Sequence, residues 1–197
     1  MKRIGIFSGT FDPIHNGHIA FAREALHKAN LDKIFFMIEP SPRRKQGVRG
    51  LEHRIKMVQL ALIDEPQFAT IALDHAQFDA ATTLPLLKAR FEGAELYMLM
   101  GDDMLLTHFI SWPHVKSLIQ AVHFLIGARL ASAETVAQHV KQIEKTKGAK
   151  FHYTIIKAKH TNVSSVSVRN ILRKGQPCSD IAPAVADYIS QHQLYHS

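Results

Sequence analysis

An α/β fold built on a doubly wound parallel sheet, with helices on both faces and a helical C-terminal cap, is predicted by three observations. Short apolar runs alternate with amphipathic stretches along most of the 197 residues. Most of these runs are continuously apolar, as expected of strands covered on both faces. The alternation stops after Ile156, where two helical stretches follow one another. Taken in order, Arg3–Ser8 reads as a strand, and a glycine-bearing turn leads into a helix over Gly17–Ala29. A strand at Lys33–Glu39 precedes a helix at Leu51–Ile63, whose Leu51, Ile55, Val58 and Leu62 fall on one helical face. Then come a strand at Phe68–Leu73, a helix at Thr82–Phe91 and strands at Glu95–Met100 and Val122–Ala128. A helix at Ala133–Lys145 and a strand at Phe151–Ile156 complete the alternation. The final helices, Ser165–Lys174 and Ala182–His192, are split by Gly175-Gln176-Pro177. Strand–helix alternation of this kind is the pattern of a Rossmann-like sheet.

The length suits a single domain spanning residues 1–197, with a helical part from about 163 to 197. A chain of this size buries roughly 70% of its unfolded surface, enough for a core without covalent staples. Hydrophobic residues at 46% and charged residues at 21% exclude wholesale disorder. The single cysteine, Cys178, excludes an internal disulfide and a multi-cysteine metal centre. Met1-Lys2-Arg3 leads into too few apolar residues for a secretory segment, and no run approaches the ~20 residues of a membrane span. A cytoplasmic protein without membrane contact is expected. The formal net charge of +7 favours an anionic partner. The 13 histidines form no metal-ligand pattern, so no protein-held metal is expected.

In an open α/β sheet, ligands bind beyond the carboxyl ends of the strands. Loops 8–17, 40–50, 74–82, 101–113, 129–132 and 157–165 are therefore where a site is expected. The first carries the densest signal: Ser8-Gly9-Thr10-Phe11-Asp12-Pro13-Ile14-His15-Asn16-Gly17-His18. A strand, a Gly-bearing turn and a helix start place free N–H groups and a positive dipole end at one point, which suits an anion. Gly9 and Gly17 allow close backbone approach or a positive φ. His15 and His18, three apart, face the same way and can stabilise charge on phosphate oxygens. Neither the Gly-x-Gly-x-x-Gly fingerprint nor the P-loop occurs in the chain. A second candidate anion site is Val163-Ser164-Ser165-Val166-Ser167-Val168-Arg169, where a serine cluster opens a helix and Arg169 follows one turn on.

Gly9 to His18 resembles the signature of the nucleotidyltransferase superfamily that carries His-x-Gly-His. The resemblance implies that this loop, with Gly9, Thr10, Phe11, His15, Gly17 and His18, binds the phosphates of ATP or CTP, and that His18 stabilises the pentacoordinate transition state. Residues 163–169 are similar to the superfamily's second signature, which implies that Ser164, Ser165 and Arg169 hold the β- and γ-phosphates; Val166 stands where a Thr is usual. Three further stretches resemble the bacterial nicotinate-nucleotide adenylyltransferases: Lys45 with the helix Glu52-His53-Arg54-Ile55-Lys56-Met57, Met100-Gly101-Asp102-Asp103 with Trp112, and Val185 to Tyr195. That resemblance implies acceptor contacts from Lys45, Thr83, Asp103 and Trp112, with Trp112 stacking on a pyridine ring. Two departures bear on the acceptor. The family's Tyr-Thr before Thr83-Leu84 is missing, and its His-Lys pair is Arg44-Lys45 here.

The implied reaction transfers AMP from ATP, with Mg2+ carried on the triphosphate, to a phosphorylated acceptor, in the first place nicotinate mononucleotide. His18, His15, Lys45 and Arg169 are the expected catalytic set. A phosphomonoester is largely dianionic at pH 7, so the acceptor needs no general base. Catalysis would then be positioning and charge stabilisation. The alternatives are transfer to nicotinamide mononucleotide or phosphopantetheine, cytidylyl transfer, a non-catalytic nucleotide-binding regulator, and a basic RNA-binding module. Against the last, no aromatic-studded basic strand of the RNA-recognition kind occurs.

Overall fold

The computed structural model describes residues 1–42, 46–73, 77–129, 131–157 and 163–195. Its elements run β1 (Arg3–Gly9), α1 (Asn16–Lys28), β2 (Lys33–Ile38), α2 (Leu51–Ala61), β3 (Phe68–Ala72), α3 (Ala80–Arg90), β4 (Glu95–Gly101), α4 (Asp102–Thr107), a single 3₁₀ turn (Phe109–Ser111), α5 (Val115–Ala121), β5 (His123–Ala128), α6 (Ala133–Lys147), β6 (Tyr153–Lys157), α7 (Ser165–Arg173) and α8 (Pro183–Gln191). The six strands form one sheet in the order β3-β2-β1-β4-β5-β6, and every pairing is parallel. Winding outward in both directions from β1 and β4 is the doubly wound Rossmann-like arrangement that the alternation predicts.

Because successive strand residues point to opposite faces, the continuous apolar runs feed two cores. Phe7, Phe36, Ile38, Leu99 and Leu125 pack beneath α1, α2, α7 and α8. Ile6, Met37, Met98, Phe124 and Ile126 pack beneath α3, α4, α5 and α6. The helices after Ile156 thus close the first core, with Val168, Val185 and Ile189 buried in it. Gly175 takes a φ of +66° between α7 and α8, a conformation open to glycine at little cost.

Three features differ from expectation. The loop expected at 101–113 holds α4 and the 3₁₀ turn, and α5 lies in the stretch before β5 that carried no assigned element. Each is too short to display a periodicity, yet Val115, Leu118 and Ile119 of α5 are buried at helical spacing. The buried residues of α2 are Arg54, Met57 and Val58, while Leu51 and Ile55 are only half-buried. The helix is rotated from its apolar stripe because the Arg54 guanidinium is drawn inward by backbone carbonyls. β6 begins at Tyr153 rather than Phe151. The Phe151 N–H donates to Glu144 Oε1, and its ring packs against Phe109 and Phe124 instead of extending the strand.

Candidate functional site

β1 and β4 lie side by side while the connections after them run to opposite halves of the sheet, which opens a crevice at their carboxyl ends. The loop from Thr10 to His15 leaves β1 at this crevice. Its conformation turns on Phe11, which takes a φ of +49°. Neither Gly9 nor Gly17 is left-handed, which corrects half of the sequence expectation; the glycine that matters does so through its missing Cβ. A Cβ at Gly9 would lie 2.9 Å from the Phe11 ring. That ring folds back instead against Phe7, Phe36 and His18, at centroid distances of 5.4, 5.5 and 5.1 Å.

His15 precedes the first residue of α1 and His18 sits in its first turn. The two rings stack at 3.7 Å with 26° between their planes. The His15 N–H donates to His18 Nδ1 at 3.2 Å. A backbone N–H can only donate, so Nδ1 is the acceptor and the proton of the neutral His18 ring sits on Nε2. His15 is 7% exposed, and its Nδ1 is buried without a partner among the described residues. Burial, reinforced by the nearby Arg129 guanidinium, lowers its pKa to about 4, so the ring is neutral at pH 7.

The second motif meets the first. Ser164 caps α7 by accepting the Ser167 N–H. The Ser165 hydroxyl donates to the Pro13 carbonyl at 2.9 Å, and Arg169 Nη1 donates to the Asp12 carbonyl at 2.6 Å. Segments more than 150 residues apart in sequence are thus joined at one place beyond the strand ends. Lys45 lies outside the described residues.

The remaining expected residues fall further along the same edge. Asp103 is exposed, 4.0 Å from the Arg129 guanidinium. Trp112 is half-buried, its indole against Phe109 at 5.4 Å and Phe78 at 6.0 Å. Thr83 is buried, and its hydroxyl accepts the Asp79 N–H at the start of α3, so it is engaged in the helix cap. It borders an apolar cleft with Met37, Ile71 and Leu87.

Three residues that shape the site were not singled out from sequence. Arg54 is 1% exposed and donates to the carbonyls of Thr10, Glu39, Pro40 and Arg49 at 2.8 to 3.0 Å, tying the ends of β1 and β2 together. Desolvation lowers its pKa, opposed by Asp12 and other acidic groups, and the guanidinium stays charged. Arg129 follows β5; its Nη1 donates to the Val163 carbonyl, and its N–H, with that of Ala131, is held by the buried Asp102 carboxylate. Its position in loop 129–132, at the ligand edge, was the available signal. Tyr195 donates its hydroxyl to Asp12 Oδ1 at 2.5 Å; in sequence it reads only as part of a packing helix.

The model of the cytidylyltransferase-like family matches residues 6–171. A probable nicotinate-nucleotide adenylyltransferase of Neisseria meningitidis serogroup B is 32% identical, over 99% of each chain. One of Bacillus licheniformis is 32% identical over the full length of both. Among solved structures, the Plasmodium falciparum nicotinic acid mononucleotide adenylyltransferase complexed with NaAD superposes with a TM-score of 0.78 at 20% identity, covering 99% of this chain and 98% of that one. With the two signature segments meeting at the switch point of a matching sheet, and with relatives this similar from end to end, the chain belongs to the nicotinate-nucleotide adenylyltransferase family of cytidylyltransferase-like proteins.

Proposed function

We propose that this chain transfers the adenylyl group of ATP to nicotinate mononucleotide, yielding nicotinate adenine dinucleotide and pyrophosphate in NAD biosynthesis, and that residues 1–197 act as one unit in the cytoplasm. The observation that carries the reading is the meeting of the two phosphate motifs, where Ser165 and Arg169 bond the backbone of the loop that carries His15 and His18. Its relatives' names support the acceptor: the Plasmodium falciparum enzyme has been solved with APC and with NaAD bound.

In the proposed step, an oxygen of the acceptor's dianionic phosphate attacks the α-phosphorus in line. The bond from that phosphorus to the bridging oxygen breaks, and the electron pair leaves on pyrophosphate. No proton has to be removed from the acceptor, and this chain's task is charge stabilisation. His18, with its proton on Nε2, is suited to donate to a non-bridging α-phosphate oxygen. His15, kept neutral, adds a donor without the reorganisation of a titrating group. Arg169, Ser164 and Ser165 are suited to the departing pyrophosphate, and Lys45 to the acceptor phosphate. The wall of guanidinium, imidazole and N–H groups suits phosphate oxygens rather than a cation. Mg2+ would therefore arrive as part of the nucleotide substrate, held mainly by phosphate oxygens.

His18→Ala is expected to lower kcat by ~10²-fold or more with ATP affinity nearly unchanged, as for a donor used chiefly in the transition state. The measurement is pyrophosphate release from ATP, run in parallel with nicotinate mononucleotide, nicotinamide mononucleotide and phosphopantetheine. Near-normal turnover by the variant would remove His18 from the chemistry. Preference for either of the other acceptors would reassign the substrate.

A further inference from the structure

We propose that Tyr195 is a positioning residue for the phosphate-binding loop, its hydroxyl holding Asp12 and through it the chain from Thr10 to Asn16 in the geometry that presents His15 and His18. The inference rests on the functional reading above and extends it to a residue beyond α8.

Tyr195 and Asp12 are 2% and 4% exposed, and the oxygen–oxygen distance is 2.5 Å. The contact spans 183 positions. Helix α8 ends at Gln191. The chain then turns inward through left-handed backbone at Gln193 and Tyr195, with φ of +49° and +67°. This turn buries Leu194 and the Tyr195 ring in the core beneath α1 and α2. The Arg49 guanidinium lies over the ring, 5.2 Å from its centroid. A phenylalanine would fill the same volume, so packing does not account for the hydroxyl. Its acceptor is the one carboxylate of the signature loop. Burial and the bond to Asp12 raise the tyrosine's pKa, so at neutral pH it acts as a donor.

Asp12 is where several restraints converge. Its carbonyl accepts from Arg169, and its Oδ2 lies 4.0 Å from the same guanidinium. The Tyr195 hydroxyl fixes the other carboxylate oxygen, which sets the rotation of the side chain against its own backbone. Around it, the Thr10 carbonyl is held by Arg54 and the Pro13 carbonyl by Ser165. The Asn16 N–H and side-chain amide are held by the carbonyls of Asp180 and Ser179. Four separate segments thus grip a loop that has no regular structure of its own. A buried carboxylate without its donor would draw in water or turn toward Arg169, and the loop carbonyl beside it would move with it.

The test compares the parent with Tyr195→Phe, Asp12→Ala and the double variant. Hydrogen exchange is read on peptides covering residues 9–18, with melting temperature and with kcat and KM for ATP. For Tyr195→Phe we expect the melting temperature within a few degrees of the parent, loop exchange raised about tenfold, and kcat lowered about tenfold with a smaller change in KM, the scale of one hydrogen bond to a charged group. In the Asp12→Ala background, which has no side-chain acceptor left, the same substitution is expected to change either readout less than about twofold, because its target is gone. Unchanged loop exchange and kcat in Tyr195→Phe would overturn the proposal. So would equal effects of that substitution in both backgrounds, which would make the residue one of packing alone. If the parent released no pyrophosphate with any acceptor, the functional reading would fail by itself, and the exchange comparison would still decide the role of Tyr195.

Discussion

His15 and His18 are spaced alike in any sequence that carries this signature, yet their surroundings give them different chemistry. His18 is half-buried and accepts a backbone N–H at Nδ1, which assigns its proton to Nε2. His15 is buried, and desolvation and Arg129 hold its pKa near 4 against an ordinary 6.5. Between those two values the unfolded chain binds a proton that the folded chain does not, so stability rises with pH across that window. The contribution is complete above pH 6.5 and is lost as pH falls through 4. The shift corresponds to about 3 kcal/mol as an upper bound. His15→Gln is accordingly expected to flatten the decline in melting temperature between pH 6.5 and 4 relative to the parent, and equal declines in both proteins would count against a buried neutral His15. The presence of the pair was legible in sequence. The neutrality of His15 was not, because its burial and the approach of Arg129 arise only through the fold.

Among the elements, α2 shows how tertiary contacts override periodicity. Its apolar spacing places Leu51 and Ile55 on the buried face, but the helix is turned so that Arg54 and Met57 are fully inside. What draws the guanidinium in is a set of four carbonyls at the ends of β1 and β2 and in the chain before α2. The Thr10 carbonyl among them is buried and would otherwise lack this donor. Arg54→Met keeps apolar volume and removes every donor. It is expected to destabilise by at least about 3 kcal/mol, seen as a fall of roughly 6–12 °C in melting temperature. Arg54→Lys should fall between the two, since one ammonium cannot span the same fork. A melting temperature within about 1 °C of the parent for Arg54→Met would show the carbonyls are satisfied without it. Helices α4 and α5 escaped the sequence reading for a different reason. At six and seven residues they are shorter than the window in which a 3.6-residue period is visible.

On the scale of the whole molecule, the sheet order brings the start of the chain to the same edge as residues 163–169. The two signature segments therefore form one wall, built from contacts across 152 and 157 positions. A polyphosphate lying along that wall would bind the folded chain and not the unfolded one. At about 100 times its Kd such a ligand adds about 2.7 kcal/mol, or roughly 5–10 °C. ATP or a non-hydrolysable analogue is expected to raise the melting temperature on this scale, and Arg169→Ala to lose most of the rise at the same concentration. An unchanged rise in that variant would separate Arg169 from the nucleotide. The net charge of +7 would supply the general attraction for such a ligand, and the proposed nucleotide site adds the guanidinium groups of Arg129 and Arg169.

The sequence by itself determined what local order can encode. Continuous apolar runs dictated strands covered on both faces, the Gly9–His18 turn dictated an anion-seeking helix start, and the Ser164–Arg169 segment dictated a capped one. Tertiary structure alone decided which of these meet and in what state. The inward turn of Arg54, the neutral His15, the Arg129 link to Val163 and the Tyr195 bond to Asp12 each depend on groups distant in sequence. Burial and long-range hydrogen bonding, which carry no periodicity, set them.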